Sequence, residues 1–143
     1  MTALWVETMI RRHEGYRGAV YKDINGNPTG GYGHCFAVGS KLPQEIWEQI
    51  FQHDIKQAVG IVSKLGVPED VLNEVRRGIL IDMAFNLGGK LFDFHSMLAA
   101  LRKRDFKMAA WHMEKTLWAK QVGSRAKELI EMMKTGVLPE GFK

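Results

Sequence analysis

Between residues 13 and 34 the chain runs HEGYRGAVYKDINGNPTGGYGH, which places two carboxylates, Glu14 and Asp23, nine positions apart and a hydroxyl, Thr29, six positions further on. Cleavage of a glycosidic bond asks for such a pair. One carboxyl stays protonated near neutral pH to protonate the leaving oxygen, and a second stays ionised to activate water or stabilise an oxocarbenium-like transition state. Their surroundings must separate the two pKa values: a carboxyl facing a helical lobe is partly desolvated and raised, whereas one on a solvated, glycine-rich hairpin stays ionised. Thr29 offers a hydroxyl to orient the water. Acids are common on solvated surfaces, so the spacing alone leaves surface charge as the other explanation.

The elements that must hold these groups follow from hydrophobic periodicity. Leu4, Trp5, Met9 and Ile10 recur at near-helical spacing behind Thr2, a candidate cap, which puts Glu14 at or just past the end of a short helix. Residues 15–39 then hold seven of the 15 glycines, and two extended runs, 19–21 and 29–34, flank Asn25-Gly26, a strong turn signal for a β-hairpin. Pro28 disfavours a central strand position there. After Pro43, the residues Ile46, Ile50, Ile55, Ala58 and Val62 predict a long helix over 43–64. Pro68 predicts the start of a second, with Val71, Leu72, Val75, Ile79, Met83 and Leu87 inward and Gly88-Gly89 as its stop. Helical patterns recur over 94–102, 105–116 and 123–134, the last closed by Thr135-Gly136. The expected fold is one α+β domain over residues 1–143: a small β-hairpin lobe at 15–42, a connecting helix at 43–64, and a larger helical lobe from 1–14 and 65–143.

Composition narrows the partners without choosing one. With 143 residues, 45% of them hydrophobic and 25% charged, the chain can bury an ordinary globular core. A net charge of +4 favours anionic partners, whether nucleic acid, acidic lipid or wall polymer. Cys35 is the single cysteine, so no internal disulfide forms. No apolar run reaches the ~18 residues of a membrane span, and the opening MTALWVETMIRRHEG carries Glu7 inside its apolar stretch, so neither a signal peptide nor stable membrane insertion is expected. Cys35 and the histidines at 13, 34, 53, 95 and 112 lack the paired spacings of a zinc site, and neither metal nor cofactor is expected. No Lys-Ser/Thr follows Gly30-Gly31-Tyr32-Gly33, which reads as hairpin glycine rather than a phosphate loop. The pairs Arg11-Arg12 and Arg76-Arg77 and the run Arg102-Lys103-Arg104 are dispersed among acids, as solvated helix faces are, rather than gathered into a nucleic-acid footprint. Phe106, Ala109, Ala110, Met113 and Leu117 form a core stripe, whereas Trp111 and Trp118 either pack inside or edge a cleft and stack on sugar rings.

The same residues carry a specific likeness. Glu14-Gly15, Tyr21-Lys22-Asp23, Gly26 and Thr29-Gly30-Gly31-Tyr32-Gly33-His34 resemble, in order and separation, the catalytic region of the phage-type lysozymes. A second block, Val75-Arg76-Arg77, Phe85-Asn86-Leu87-Gly88, Trp118, Gln121, Arg125-Ala126-Lys127 and Thr135-Gly136, resembles that family's C-terminal lobe, so the likeness spans nearly the whole chain. It implies a lysozyme-like fold and an inverting muramidase that cuts the β-1,4 bond between N-acetylmuramic acid and N-acetylglucosamine in bacterial peptidoglycan. Glu14 would donate the proton, while Asp23 and Thr29 hold and activate water on the opposite face of the sugar, a geometry that needs carboxyls about 6.5–9.5 Å apart. Arg125 carries over as the partner that positions Glu14, and because a cation there lowers the acid's pKa, either burial offsets the pairing or the bond loosens when substrate arrives. His34 and Asp54 match a structural ion pair, strongest below the histidine's folded pKa and above the carboxyl's. Tyr32, Phe85, Asn86 and Trp118 are the implied substrate contacts.

Three departures stand out. Gly30 replaces the family's usual Ile or Val, Pro28 stiffens the strand before Thr29, and the segment 35–42 is shorter than in T4-type members. They keep a rival in play, a non-hydrolytic wall-binding or lysis-regulating domain on the same fold, which would bind sacculi without releasing reducing ends. A third possibility, membrane disruption by cationic helices, requires killing to survive loss of Glu14. The family likeness further implies a monomer that accumulates in the host cytoplasm and reaches the wall through a holin.

Overall fold

A computed structural model describes residues 4–142; the candidate cap Thr2 lies outside them. The chain divides into two compact units, Met1–Gln44 and Glu45–Lys143.

The first unit holds helix α1 (Leu4–Glu14) and three strands, β1 (Arg17–Lys22), β2 (Pro28–Gly31) and β3 (His34–Cys35). They form an antiparallel sheet in the order β1-β2-β3, with Tyr21 opposite Thr29 and Thr29 opposite Cys35. The Asn25-Gly26 turn forms as expected, with Gly26 at φ +79°. The extended run expected over 29–34 is instead broken at Tyr32-Gly33, where the chain reverses and adds a third strand to the hairpin. That makes β2 central, against the expectation from Pro28. The proline is tolerated because it is the strand's first residue, where it needs no N–H and its carbonyl still accepts from the Phe36 N–H at 2.7 Å. Among the described residues of this unit, Thr29 and Gly30 alone are buried. Leu4, Trp5, Met9 and Ile10 of α1 are exposed. The sequence groups residues 1–14 with the helical lobe; α1 lies in the same compact unit as the sheet, where Arg11 Nη1 donates to the Tyr32 hydroxyl at 3.2 Å.

The second unit is helical: α2 (Gln44–Ser63), α3 (Glu74–Leu87), α4 (His95–Arg102), α5 (Phe106–Glu114), α6 (Leu117–Val122) and α7 (Ser124–Thr135). Its core includes Ile79, Leu80, Met83, Leu91, Met97, Leu101, Met113 and Met133, all fully buried, each contributing about 1.5–3 kcal/mol. Only the later part of the expected apolar face of α2 is buried, at Ala58 and Val62, while Ile46 and Ile50 are exposed. Pro68 opens a 3₁₀ turn rather than the next helix. α3 starts at Glu74 because Asn73 accepts the Arg76 N–H on its side chain, a strong N-cap. Leu117 leaves the expected core stripe, 68% exposed, because a new helix starts there under a Thr116 cap that accepts from the Ala119 N–H.

Several arginines that read as solvated are in fact structural. Arg76 donates to the carbonyls of Met133 at 2.9 Å and Lys134 at 3.1 Å, which the end of α7 leaves without helical partners, and its guanidinium stacks 3.6 Å from the Phe106 ring centroid. Asn73 donates to the Gly136 carbonyl beside it at 2.9 Å. Arg102 holds the carbonyls of Leu65 and Gly66, and Arg104 pairs with Asp70 at 2.7 Å.

Candidate active site

Glu14 is the last residue of α1, and its side chain is exposed rather than desolvated against a helical lobe as the sequence leads one to expect, because no residue of α1 is buried. Gly15, at φ +70°, ends the helix, its N–H donating to the Arg11 carbonyl at 2.9 Å, and the chain turns into β1. The carboxylate lies against the turn between β2 and β3: Glu14 Oε2 stands 2.8 Å from the point where a Cβ on Gly33 would be.

Asp23 follows β1 directly, and its carboxylate is tied into the turn that the strand enters. Asp23 Oδ1 accepts the backbone N–H groups of Asn25 and Asn27, each at 2.8 Å. The backbone N–H of Asn27 is the main cause holding this carboxyl below its ordinary pKa, opposed in part by desolvation. Asn27 serves a second group as well, since its carbonyl accepts from the Thr29 hydroxyl at 3.0 Å. Thr29 is 5% exposed, the one buried polar side chain among the described residues. Asp23 and Thr29 are thus fastened to the same residue, and Asn27 is a participant the sequence reading missed. Its signal is positional: an Asn four residues after an Asp across a glycine turn can return both backbone groups to that Asp.

The missing side chain at Gly30 does not leave a void. A Cβ there would meet Phe36 Cε2 and Val20 Cγ2, each at 3.6 Å, so these two side chains occupy the space that Ile or Val would fill. Tyr32 receives Arg11 both at its hydroxyl and over its ring, at 5.0 Å from the centroid, and its ring packs 5.3 Å from that of Tyr16. His34 packs edge-on to Phe36 at 4.7 Å, and Cys35 is exposed with a free thiol.

The remaining expected residues lie in the second unit. Asp54 is half-buried on α2. Phe85 is exposed on α3 and packs edge-on to Phe51, with centroids 5.7 Å apart. Trp118 is only 4% exposed and donates its indole N–H to Asn86 Oδ1 at 3.0 Å, which leaves no ring face for stacking on a sugar; its place is to orient the exposed Asn86 amide. Trp111, by contrast, is exposed. Arg125 is engaged by Asp82, its Nη2 at 2.6 Å and its Nε at 3.0 Å from Oδ1. Asp82 was not anticipated, although an acid between the buried Ile79 and Met83 on one helix marks the edge of an inward face. The Asp82–Arg125 pair borders a groove of about 540 Å³ floored by Val75, Ile79, Leu129 and Met132. This largely apolar groove differs in character from the polar surface around Glu14 and Asp23.

Among the described residues, no three His, Cys, Asp or Glu side chains are grouped to hold a metal ion, and no helix is long and apolar enough to cross a membrane.

Comparison with known proteins adds an independent line. The family model described as phage lysozyme matches residues 11–134. The pre-baseplate central spike protein Gp5 of Enterobacteria phage T4 is 28% identical, over 91% of the chain but only 28% of its own length, so the chain spans well under half of that relative. Probable T4-type lysozyme 2 of Dictyostelium discoideum is 23% identical over 94% of the chain and 96% of its own length. The endolysin of Salmonella phage P22 is 29% identical over 72% of the chain and 74% of its own length.

Proposed function

The chain belongs to the phage lysozyme family, and from that premise we propose that it is a peptidoglycan-degrading glycoside hydrolase, a muramidase cutting the β-1,4 bond between N-acetylmuramic acid and N-acetylglucosamine with inversion. The observation that carries the proposal is the contrast between its two acids. Asp23 is tied into its turn by two backbone N–H donors that favour its ionised form, as suits a base, while Glu14 ends α1 with its carboxylate against the turn between β2 and β3.

In this mechanism Glu14 gives its proton to the glycosidic oxygen as the bond to the anomeric carbon breaks. A water attacks that carbon from the opposite face. Because the Thr29 proton is committed to the Asn27 carbonyl, Thr29 can meet the water only as an acceptor. One water hydrogen points to Thr29, the other passes to Asp23, and an oxygen lone pair remains for the carbon. Tyr32, Phe85 and Asn86 contact substrate, and Arg125, His34 and Asp54 serve as supporting residues. The protein acts as a monomer in host lysis, accumulating in the host cytoplasm and reaching the wall with the help of a holin.

Glu14→Gln tests the proposal. The variant is expected to keep its circular dichroism and melting temperature while releasing almost no reducing ends from purified sacculi. Reducing-end release at the wild-type rate would overturn it, and sacculus binding by the wild-type protein without any release would favour a wall-binding domain.

A further inference from the structure

We propose that Gly33 is a positioning residue for Glu14: its lack of a side chain forms the seat in which the acid's carboxylate is held. This rests on the assignment of Glu14 as the proton donor. Gly33 lies in the turn between β2 and β3 at φ +78°, and a Cβ built on it would stand 2.8 Å from Glu14 Oε2 and 3.4 Å from Glu14 Cδ. One carboxylate oxygen therefore occupies the space where any other residue would begin its side chain. A glutamate at an exposed helix end has three rotatable bonds and would otherwise sample many positions. The turn restricts that sampling from one side.

The turn itself is fastened to the same helix. Arg11, one helical turn before Glu14, reaches Tyr32 with a hydrogen bond of 3.2 Å and lies over its ring at 5.0 Å. This clasp fixes the residue next to Gly33 to the last turn of α1, and so sets the spacing between Gly33 and Glu14.

The consequence of adding a Cβ differs from an ordinary steric defect. The obstructing atom is the far end of a flexible side chain, so the fold can relieve the contact by moving the Glu14 carboxylate to another rotamer. Activity is lost while the structure survives. Gly31 supplies the matched control: it has φ +61° and nothing within 4 Å of its hypothetical Cβ. Alanine at either position meets the same left-handed backbone penalty, and only alanine at position 33 meets Glu14.

Gly33→Ala, Gly31→Ala and Glu14→Gln are compared on soluble peptidoglycan oligosaccharides and by thermal unfolding. Gly33→Ala is expected to lower kcat by about tenfold or more with KM within about twofold, since an acid misplaced by an ångström loses catalysis rather than binding. Gly31→Ala is expected to show a similar shift in melting temperature with kcat within about threefold of wild type. Gly33→Asn, which tolerates left-handed backbone but carries the Cβ, is expected to behave like Gly33→Ala and is read in its place if the alanine variant does not fold. Equal kcat for the position-33 and position-31 variants, with Glu14→Gln inactive, overturns the seat and leaves the acid assignment standing. An active Glu14→Gln overturns the acid assignment itself.

Discussion

Asp23 and Asn27 close a ring of two hydrogen bonds: the Asp23 N–H donates to the Asn27 carbonyl at 2.9 Å, and the Asn27 N–H donates to Asp23 Oδ1 at 2.8 Å. The Asp23 carboxylate is thus oriented by backbone N–H groups, those of Asn25 and of Asn27, and the Asn27 carbonyl also accepts from the Thr29 hydroxyl. The Asn27 side chain contributes only a 3.5 Å contact to Oδ2. Carbon-detected NMR titration is expected to find the Asp23 carboxyl below the ordinary value of about 3.9. Asn27→Ala is expected to leave that titration nearly in place and activity within about threefold, because the backbone donors remain. A return of Asp23 to the ordinary range in Asn27→Ala would show that the side chain does the holding. With the folded pKa depressed, the stabilisation from this group is present above the unfolded carboxyl pKa and is lost as pH falls through the lower folded one.

Gly30 is packed from outside by Phe36 and Val20. Gly30→Ala is therefore expected to change stability by under about 1 kcal/mol, whereas Gly30→Val crowds Phe36 and costs about 1–3 kcal/mol. Adding Phe36→Ala to Gly30→Val is expected to recover part of that loss in urea unfolding. Strict additivity of the two substitutions would contradict the exchange of volume between these positions.

Arg76 fixes the C-terminal end of α7 with two carbonyl bonds and a stack on Phe106. Arg76→Leu is expected to cost about 1.5–3 kcal/mol, and Arg76→Lys to recover little, because an ammonium cannot present the planar fork. Thermal unfolding measures both. By contrast, Asp82→Asn breaks a pair whose side chains are 41–42% exposed and should cost under about 1 kcal/mol.

Trp118 serves as core and as the anchor of Asn86. Trp118→Phe is expected to keep most packing and lose about 1 kcal/mol with the hydrogen bond, and Trp118→Ala to lose about 3–5 kcal/mol through the cavity. If Trp118→Ala instead left stability intact and raised KM alone, Trp118 would be a substrate contact rather than a core residue.

What could be read from the residues is local. Glu14 at the end of α1, the Asn25-Gly26 turn and the glycine after α7 each rest on signals within a few positions of one another. Pro28 misled because its cost depends on whether it opens a strand or interrupts one, and the turn closed between Asp23 and Asn27 makes it the first residue of β2. α6 was hidden by its six residues, too few to show a period. The burial of Trp118 and the pairing of Arg125 with Asp82 join residues 32 and 43 positions apart, and no local pattern specifies such contacts. The seat at Gly33 is of the same kind: a glycine in a turn looks like turn chemistry until the carboxylate from another element is seen beside it.

Proton NMR of the first sugar product decides whether Glu14 and Asp23 hydrolyse a glycosidic bond by attack from the opposite face. With purified peptidoglycan fragments and wild-type protein, reducing N-acetylmuramic acid ends are expected to appear first as the α-anomer and only later equilibrate, and Glu14→Gln is expected to yield none. First appearance of the β-anomer, or no new reducing ends from the wild-type protein, would contradict that chemistry.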